Sequence, residues 1–231
     1  MNSETAPPLS AAVAVYQTRI RTQFATLKSI SRYDDLVATS IRLKKNNGYL
    51  MCVCELHYED VEVIKLLAKW REEAVTFHNK FRVTFDGTKL WVRKLLLDVP
   101  DRILFLVLDR FGHPIGHLGF ANALNNECYM EFDNVVRGVP KTEPGIMSLA
   151  TQAILEWAQQ TFEPRGFYLR TLDNNVHSIQ FYERLGFRRR SQQGLRRVES
   201  ADGFNHIPIP DGDTNPPDRF FVRMDCEPGE H

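Results

Sequence analysis

A phenol, two carboxylates and a glycine-containing loop carry the chemistry legible in this chain. The phenol is Tyr182, in the run Asn175 to Phe187, NVHSIQFYERLGF. Ser178, Phe181, Tyr182 and Leu185 recur at helical spacing and share one face. A phenol with a pKa near 10 stays protonated at neutral pH and can give its proton to a departing anion. The carboxylates are Glu131 and Asp133, two apart and so on one face of an expected strand. Strands disfavour Asp, and burying it is costly unless it is paired or used. One of the two could be a general base, and either could instead be an ion-pair partner of Arg137 or Arg170. The loop is Arg137 to Ser148, RGVPKTEPGIMS, which runs straight into a helical pattern. Free N–H groups and the positive end of a helix dipole suit a phosphate there. Gly138, Gly145, the Ser148 hydroxyl and the cations Arg137 and Lys141 are its polar equipment.

These groups need elements to hold them. Asp173, Asn174 and Asn175 are good N-cap residues for the Tyr182 helix, and Gly186 closes it where a positive φ is cheap. Gly166 to Leu172 just before it reads as a buried strand. Ile146, Leu149, Ala150, Ala153, Ile154, Trp157 and Ala158 form the most extended helical face of the chain, with Pro144 and Gly145 at its start. Upstream, Tyr49 to Leu56, Arg102 to Asp109, Pro114 to Leu124 and Cys128 to Val136 read as strands. Val63 to Ala74 and Thr84 to Leu97 read as helices. Ser191 to Val198 and Asp218 to Met224 are expected as the last strands, with Phe204 to Pro217 a loop between them. Ile20, Phe24 and Leu27 can share a helical face, while the first ten residues have a disordered composition.

Composition narrows the function. The chain has 231 residues, with 29 basic and 29 acidic side chains. A balanced charge draws it neither to nucleic acid nor to an anionic membrane. No apolar run is long enough for a membrane span, and Ala11 to Tyr16 is too short for a signal peptide. Cys52, Cys54, Cys128 and Cys226 fit no zinc or redox spacing, so no metal is expected and a reduced, cytoplasmic setting is simplest.

The pattern N-x-x-S-x-x-x-Y-x-x-x-G-F, from Asn175 to Phe187, resembles the last helix of the GNAT acetyltransferases, and the element order over residues 49–225 is similar to theirs. The resemblance implies an α+β GNAT fold: a mixed, mostly antiparallel central sheet flanked by helices, with an extra N-terminal segment. Residues 1–48 would be that extension, partly disordered or helical and dispensable for catalysis, and residues 49–231 the acetyltransferase domain. The activity implied is transfer of an acetyl group from acetyl-CoA, the cosubstrate, to a primary amine by direct attack in a ternary complex. Tyr182 would protonate the leaving thiolate, and Asp133 or Glu131 would be the base. Backbone groups near Val135 and Val136 would face the thioester carbonyl. Asn174 or Asn175, with Ser178, would hold the pantetheine arm. Arg137, Gly138, Gly145, Ile146, Met147 and Ser148 would cradle the phosphates. There the family reads R/Q-x-x-G-x-G/A, and Thr142 and Met147 depart from it. Trp70, Glu73, Phe77, His78 and His117 fall in the expected acceptor region.

The run Trp70 to Trp91 resembles acetyltransferases of nucleotide-linked amino sugars or of ribosomal protein N-termini. Glu131 to Met147 resembles acyltransferase-like proteins of surface-polysaccharide biosynthesis. The partner implied is thus a small-molecule amine, with a peptide or protein N-terminus as an alternative and a catalytically inactive ligand-binding module as another. No nucleic acid or membrane partner is implied, and the resemblance leaves room for a homodimer.

Overall fold

The computed structural model describes residues 11–74, 79–210, 212–227 and 229. The chain begins with helix α1 (Ala11–Lys28) and the short α2 (Tyr33–Ala38), then strands β1 (Ile41–Arg42) and β2 (Gly48–Cys52). Helices α3 (Glu55–Glu59) and α4 (Val61–Glu73) follow, then β3 (Asn79–Lys80) and α5 (Phe85–Trp91). Thr84 caps α5 by accepting from the Gly87 N–H, and the helix runs on through wider turns to Leu97. The second half holds β4 (Ile103–Asp109), β5 (Pro114–Ala121), β6 (Tyr129–Arg137), α6 (Ile146–Phe162), β7 (Gly166–Leu172) and α7 (Val176–Arg184). Strands β8 (Arg188–Ser200), β9 (Gly203–Pro208) and β10 (Arg219–Cys226) end it.

The strands form one sheet in the order β1-β2-β4-β5-β6-β7-β10-β8-β9-β3. Every pairing is antiparallel except β6 with β7, which are joined through α6 and run parallel. That parallel pairing covers only Tyr129–Glu131 against Gly166–Tyr168. Beyond it the strands part and open a wedge in the sheet. On its other side β6 carries a bulge. His117 faces Val136 and Gly119 faces Asp133, so two residues of β6 stand opposite one of β5. Asn134 makes this possible with φ of 54°.

One expectation is corrected. Residues 203–208, expected within or beside a loop, form β9. Its partners are β8 and, at the far edge, β3, so the pairing depends on residues distant in sequence. The extra N-terminal segment is helical and packs against the rest of the chain. Tyr16, Ile20, Phe24 and Leu27 on α1 are buried in the same core as the sheet. Phe24 meets Phe162 of α6 edge-on at 5.6 Å, and β1 pairs with β2.

Candidate active site

The wedge between β6 and β7 holds a cavity of about 510 Å³. Its walls include Glu131 to Val135 of β6 and Leu169 to Leu172 of β7, with Asn175, Ser178 and Tyr182. Arg71 of α4, Asn79 of β3, Phe81 and Trp91 of α5 line it as well. A second cleft lies beside it over the start of α6, lined by Arg137, Glu143, Gly145 to Ser148, His177, Phe181 and Arg184. Val135, Ser178 and Tyr182 line both and form their common wall.

Tyr182 reaches that wall because α7 is capped where the sequence places the cap. The Asn175 side chain accepts from the Ser178 N–H at 3.3 Å. Phe132, Phe181 and Phe187 pack round the phenol ring at 5.2–6.2 Å. Burial, reinforced by the nearby Asp133 charge, pushes its pKa well above the ordinary value. The phenol is therefore held in the proton-bearing form. Asp133 is enclosed by protein, although about a third of its side chain is accessible through the cavity. Burial raises its pKa, and Arg102, at 3.8 Å, opposes that rise. It is a carboxylate with affinity for a proton, facing a phenol that keeps one.

Glu131 has other duties. It accepts from Arg170 Nε at 2.8 Å, from the Tyr168 hydroxyl at 3.2 Å and from the Asn122 amide. With its lone pairs so engaged it spans β6 and β7, the ion-pair alternative that the strand pattern left open. Alternation on β7 puts Tyr168 and Arg170 on one face, and parallel register puts that face beside Glu131. Arg102 was not expected at the site from sequence.

In the second cleft, the first turn of α6 has no side-chain cap at Gly145, whose φ is 82°. A Cβ built at Gly145 would point into open space. The Ile146 N–H is engaged by the Glu143 carbonyl at 3.3 Å, which leaves the first-turn donors of Met147 and Ser148 for the cleft, as a phosphate requires. Met147, the departure from the family's small residue, buries its side chain almost completely, so most of its bulk is directed into the core. Arg137 lines the cleft but bonds its own loop: to the carbonyls of Val139 and Pro140 and to the Thr142 hydroxyl. Arg184 and His177, which sequence reasoning missed, line the cleft too. Both lie on α7, on the helix that also carries Tyr182.

Several expected site residues lie elsewhere. Gly138 is glycine for packing: a Cβ there would fall 2.0 Å from the Trp70 ring. Trp70 is buried in the core, so its acceptor role is corrected to packing. His117 is likewise wholly buried against Trp70, and donates Nδ1–H to the Asn134 carbonyl at 2.6 Å. Its place is behind the bulge rather than in the cavity. Val136 is buried on the same strand and lines neither cleft. Glu73 is exposed and faces Lys69 at 3.9 Å, and Asn174 is exposed beside the cap. Phe77 and His78 lie outside the described residues. Among the described residues, no group of three His, Cys, Asp or Glu is placed to hold a metal, and no helix is long and apolar enough to cross a membrane.

Comparison with known proteins places this geometry. The family model described as "Acetyltransferase (GNAT) domain" matches residues 51–188. A solved structure of a probable GNAT-family acetyltransferase from Chromobacterium violaceum superposes with a TM-score of 0.59 at 15% identity, covering 100% of this chain and 98% of that one. A ribosomal alpha-N-protein acetyltransferase, RimL, gives 0.57 at 16% identity over 81% and 93% of the two chains. The spermidine/spermine N-acetyltransferase of Vibrio cholerae gives 0.54 at 13% identity over 78% and 92%. These identities speak for the fold alone. No curated protein matches the chain by sequence.

Proposed function

The chain belongs to the GNAT acetyltransferase family, acyl-CoA-dependent N-acetyltransferases, and from that membership we propose that its wedge transfers an acetyl group to a primary amine by direct attack in a ternary complex. The observation that carries this reading is the common wall. Val135, Ser178 and Tyr182 line both the cleft over α6 and the cavity between β6 and β7. A donor in one and an acceptor in the other would meet there.

Acetyl-CoA, bound in the cleft, would supply the acyl group and a thiolate as leaving group. Gly145 would let its phosphates approach the backbone donors of Met147 and Ser148, with Arg184 and His177 as nearby side chains. Asn175 spends its side-chain oxygen on the α7 cap, and its amide hydrogens remain to orient the pantetheine arm with Ser178. The bulge at Asn134 takes one residue of β6 out of the ladder, and Val135 beside it lines both spaces. A backbone donor there is suited to the thioester carbonyl. Asp133 takes the proton from the acceptor ammonium, for which a raised pKa suits it. As the C–S bond breaks, Tyr182 gives its proton to the departing sulfur and is reloaded by the second proton that the nitrogen loses on becoming an amide, while the proton on Asp133 passes to solvent.

The acceptor amine enters past Arg71, Phe81 and Trp91. A nucleotide-linked amino sugar and a peptide amino terminus are the two bodies the sequence favours for it. The neighbours named above carry spermidine/spermine and alpha-N-protein acetyltransferase in their names, so the fold serves several acceptors. An inactive module is the weaker reading, because Tyr182 stands at the common wall and Asp133 lines the cavity beside it. The four free, buried cysteines fit a reduced cytoplasmic setting.

Calorimetry with a non-hydrolysable acetyl-CoA analogue, followed by thiol release over a panel of amines, tests this. One coenzyme site per chain and amine-dependent thiol release are expected. A protein that binds no coenzyme at millimolar concentration sinks the assignment of the cleft.

A further inference from the structure

Arg71 stands out among the cations of the cavity. Arg170 is paired with Glu131 at 2.8 Å, and Arg102 lies 3.8 Å from Asp133. Among the described residues no carboxylate lies within ion-pair distance of Arg71. Its guanidinium is nonetheless held in place. It packs over the Trp91 ring at 4.4 Å and the Phe81 ring at 5.3 Å, and Nη1 donates to the buried Thr88 hydroxyl at 3.2 Å. One of five N–H donors is thereby used. Burial between the rings lowers its pKa to about 10, which is the cost of a cation held without an anion. The whole lining has three arginines against two carboxylates.

We propose that Arg71 seats an oxyanion carried by the acceptor, so that the preferred substrate is an amine that also bears a carboxylate or a phosphate. A planar guanidinium fork, fixed by stacking, matches either group through paired donors. The anion would take over the solvation that burial has removed from Arg71. A polyamine would bring further cations to a lining already short of negative charge, and it is the acceptor this arrangement disfavours. The proposal rests on the acetyl-transfer reading above and names the acceptor class for that site.

Matched amines test it. One pair is a dipeptide and its C-terminal amide, which isolates the carboxylate. The other is an amino-sugar phosphate and the parent amino sugar, which isolates the phosphate. Spermidine is the polycation. The expected result is a kcat/KM roughly ten- to a hundred-fold higher for the anionic member of one pair. The pair that responds identifies which oxyanion is used. In Arg71→Gln that ratio should fall toward one, and in Arg71→Lys it should fall partway, because charge remains and the fork is lost. If Arg71→Gln has no melting transition, Arg71→Lys decides. Ratios near one in both wild-type pairs, a ratio that survives substitution, or a preference for spermidine would overturn the proposal while leaving acetyl transfer intact. Coenzyme binding without thiol release to any of the five amines would instead overturn the acetyl-transfer reading, and this inference with it.

Discussion

His117 and Asn134 are joined by a 2.6 Å hydrogen bond that ties the core to the bulge beside the wedge. A carbonyl can only accept, so Nδ1 carries the proton and Nε2 the lone pair. That Nε2 is buried with no partner among the described residues. Burial, outweighing the bond to Asn134, lowers the His117 pKa to about 4. The ring that supports Asn134 is therefore neutral, and it is positioned to hold the bulge rather than to exchange protons with substrate.

A pH dependence of stability follows. The folded pKa of His117 lies below its ordinary value of 6.5, so the unfolded chain binds the proton more readily. Its contribution is complete above about pH 6.5 and is lost as pH falls toward 4, with a limit of about 3 kcal/mol. His57, also lowered to about 4 by burial, acts in the same direction. Melting temperatures should drop between pH 7 and 4.5, and His117→Leu should flatten the slope at some cost in stability at pH 7. An unchanged slope in that variant would mean that His117 does not titrate on unfolding.

Tyr182→Phe keeps the ring contacts and removes the proton. Turnover should fall roughly ten- to a thousand-fold, within the range for general acid catalysis, with coenzyme affinity little changed. Steady-state kinetics beside calorimetry read both. Wild-type turnover with a lowered melting temperature would make the tyrosine a packing residue only.

The two carboxylates should separate in their effects. Asp133→Asn removes the base and should lower kcat about 10²–10⁴-fold with the fold intact. In the wild type the rate should fall as pH falls through a pKa above the ordinary aspartate value, since only the ionised form accepts a proton. Glu131→Gln weakens the bridge from β6 to Arg170, so its main effect should be on stability, about 1–3 kcal/mol. Denaturant unfolding alongside the rate profile distinguishes them. A normal rate in Asp133→Asn would leave water as the base.

Deleting the residues before Asn47 should yield a protein without a cooperative unfolding transition. The truncation removes Tyr16, Ile20, Phe24 and Leu27 from the core, each worth about 1.5–3 kcal/mol when fully buried. Their sum rivals the entire stability of a typical domain, about 5–15 kcal/mol. Phe24→Ala is the milder form and should cost about 3–5 kcal/mol. A soluble, coenzyme-binding truncation would show that α1 is an accessory after all.

Short-range pattern determined much of this protein by itself. Helical spacing placed α4, α6 and α7, the Asn175 cap stood where an Asn before an apolar face should stand, and Gly145 marked the start of α6. Each rests on interactions within a turn or two of chain, which neighbouring residue types decide. The tertiary structure alone decided which Asp or Glu was engaged, because Glu131 meets Arg170 only through the register of a parallel strand pair 39 residues away. It also decided that Gly138 yields to the Trp70 ring, that His117 backs a bulge and that β9 is a strand. The helix of α1 was legible as a face, but its partner Phe162 was not. An apolar stripe announces that it must be covered; which surface covers it depends on packing between segments far apart in sequence.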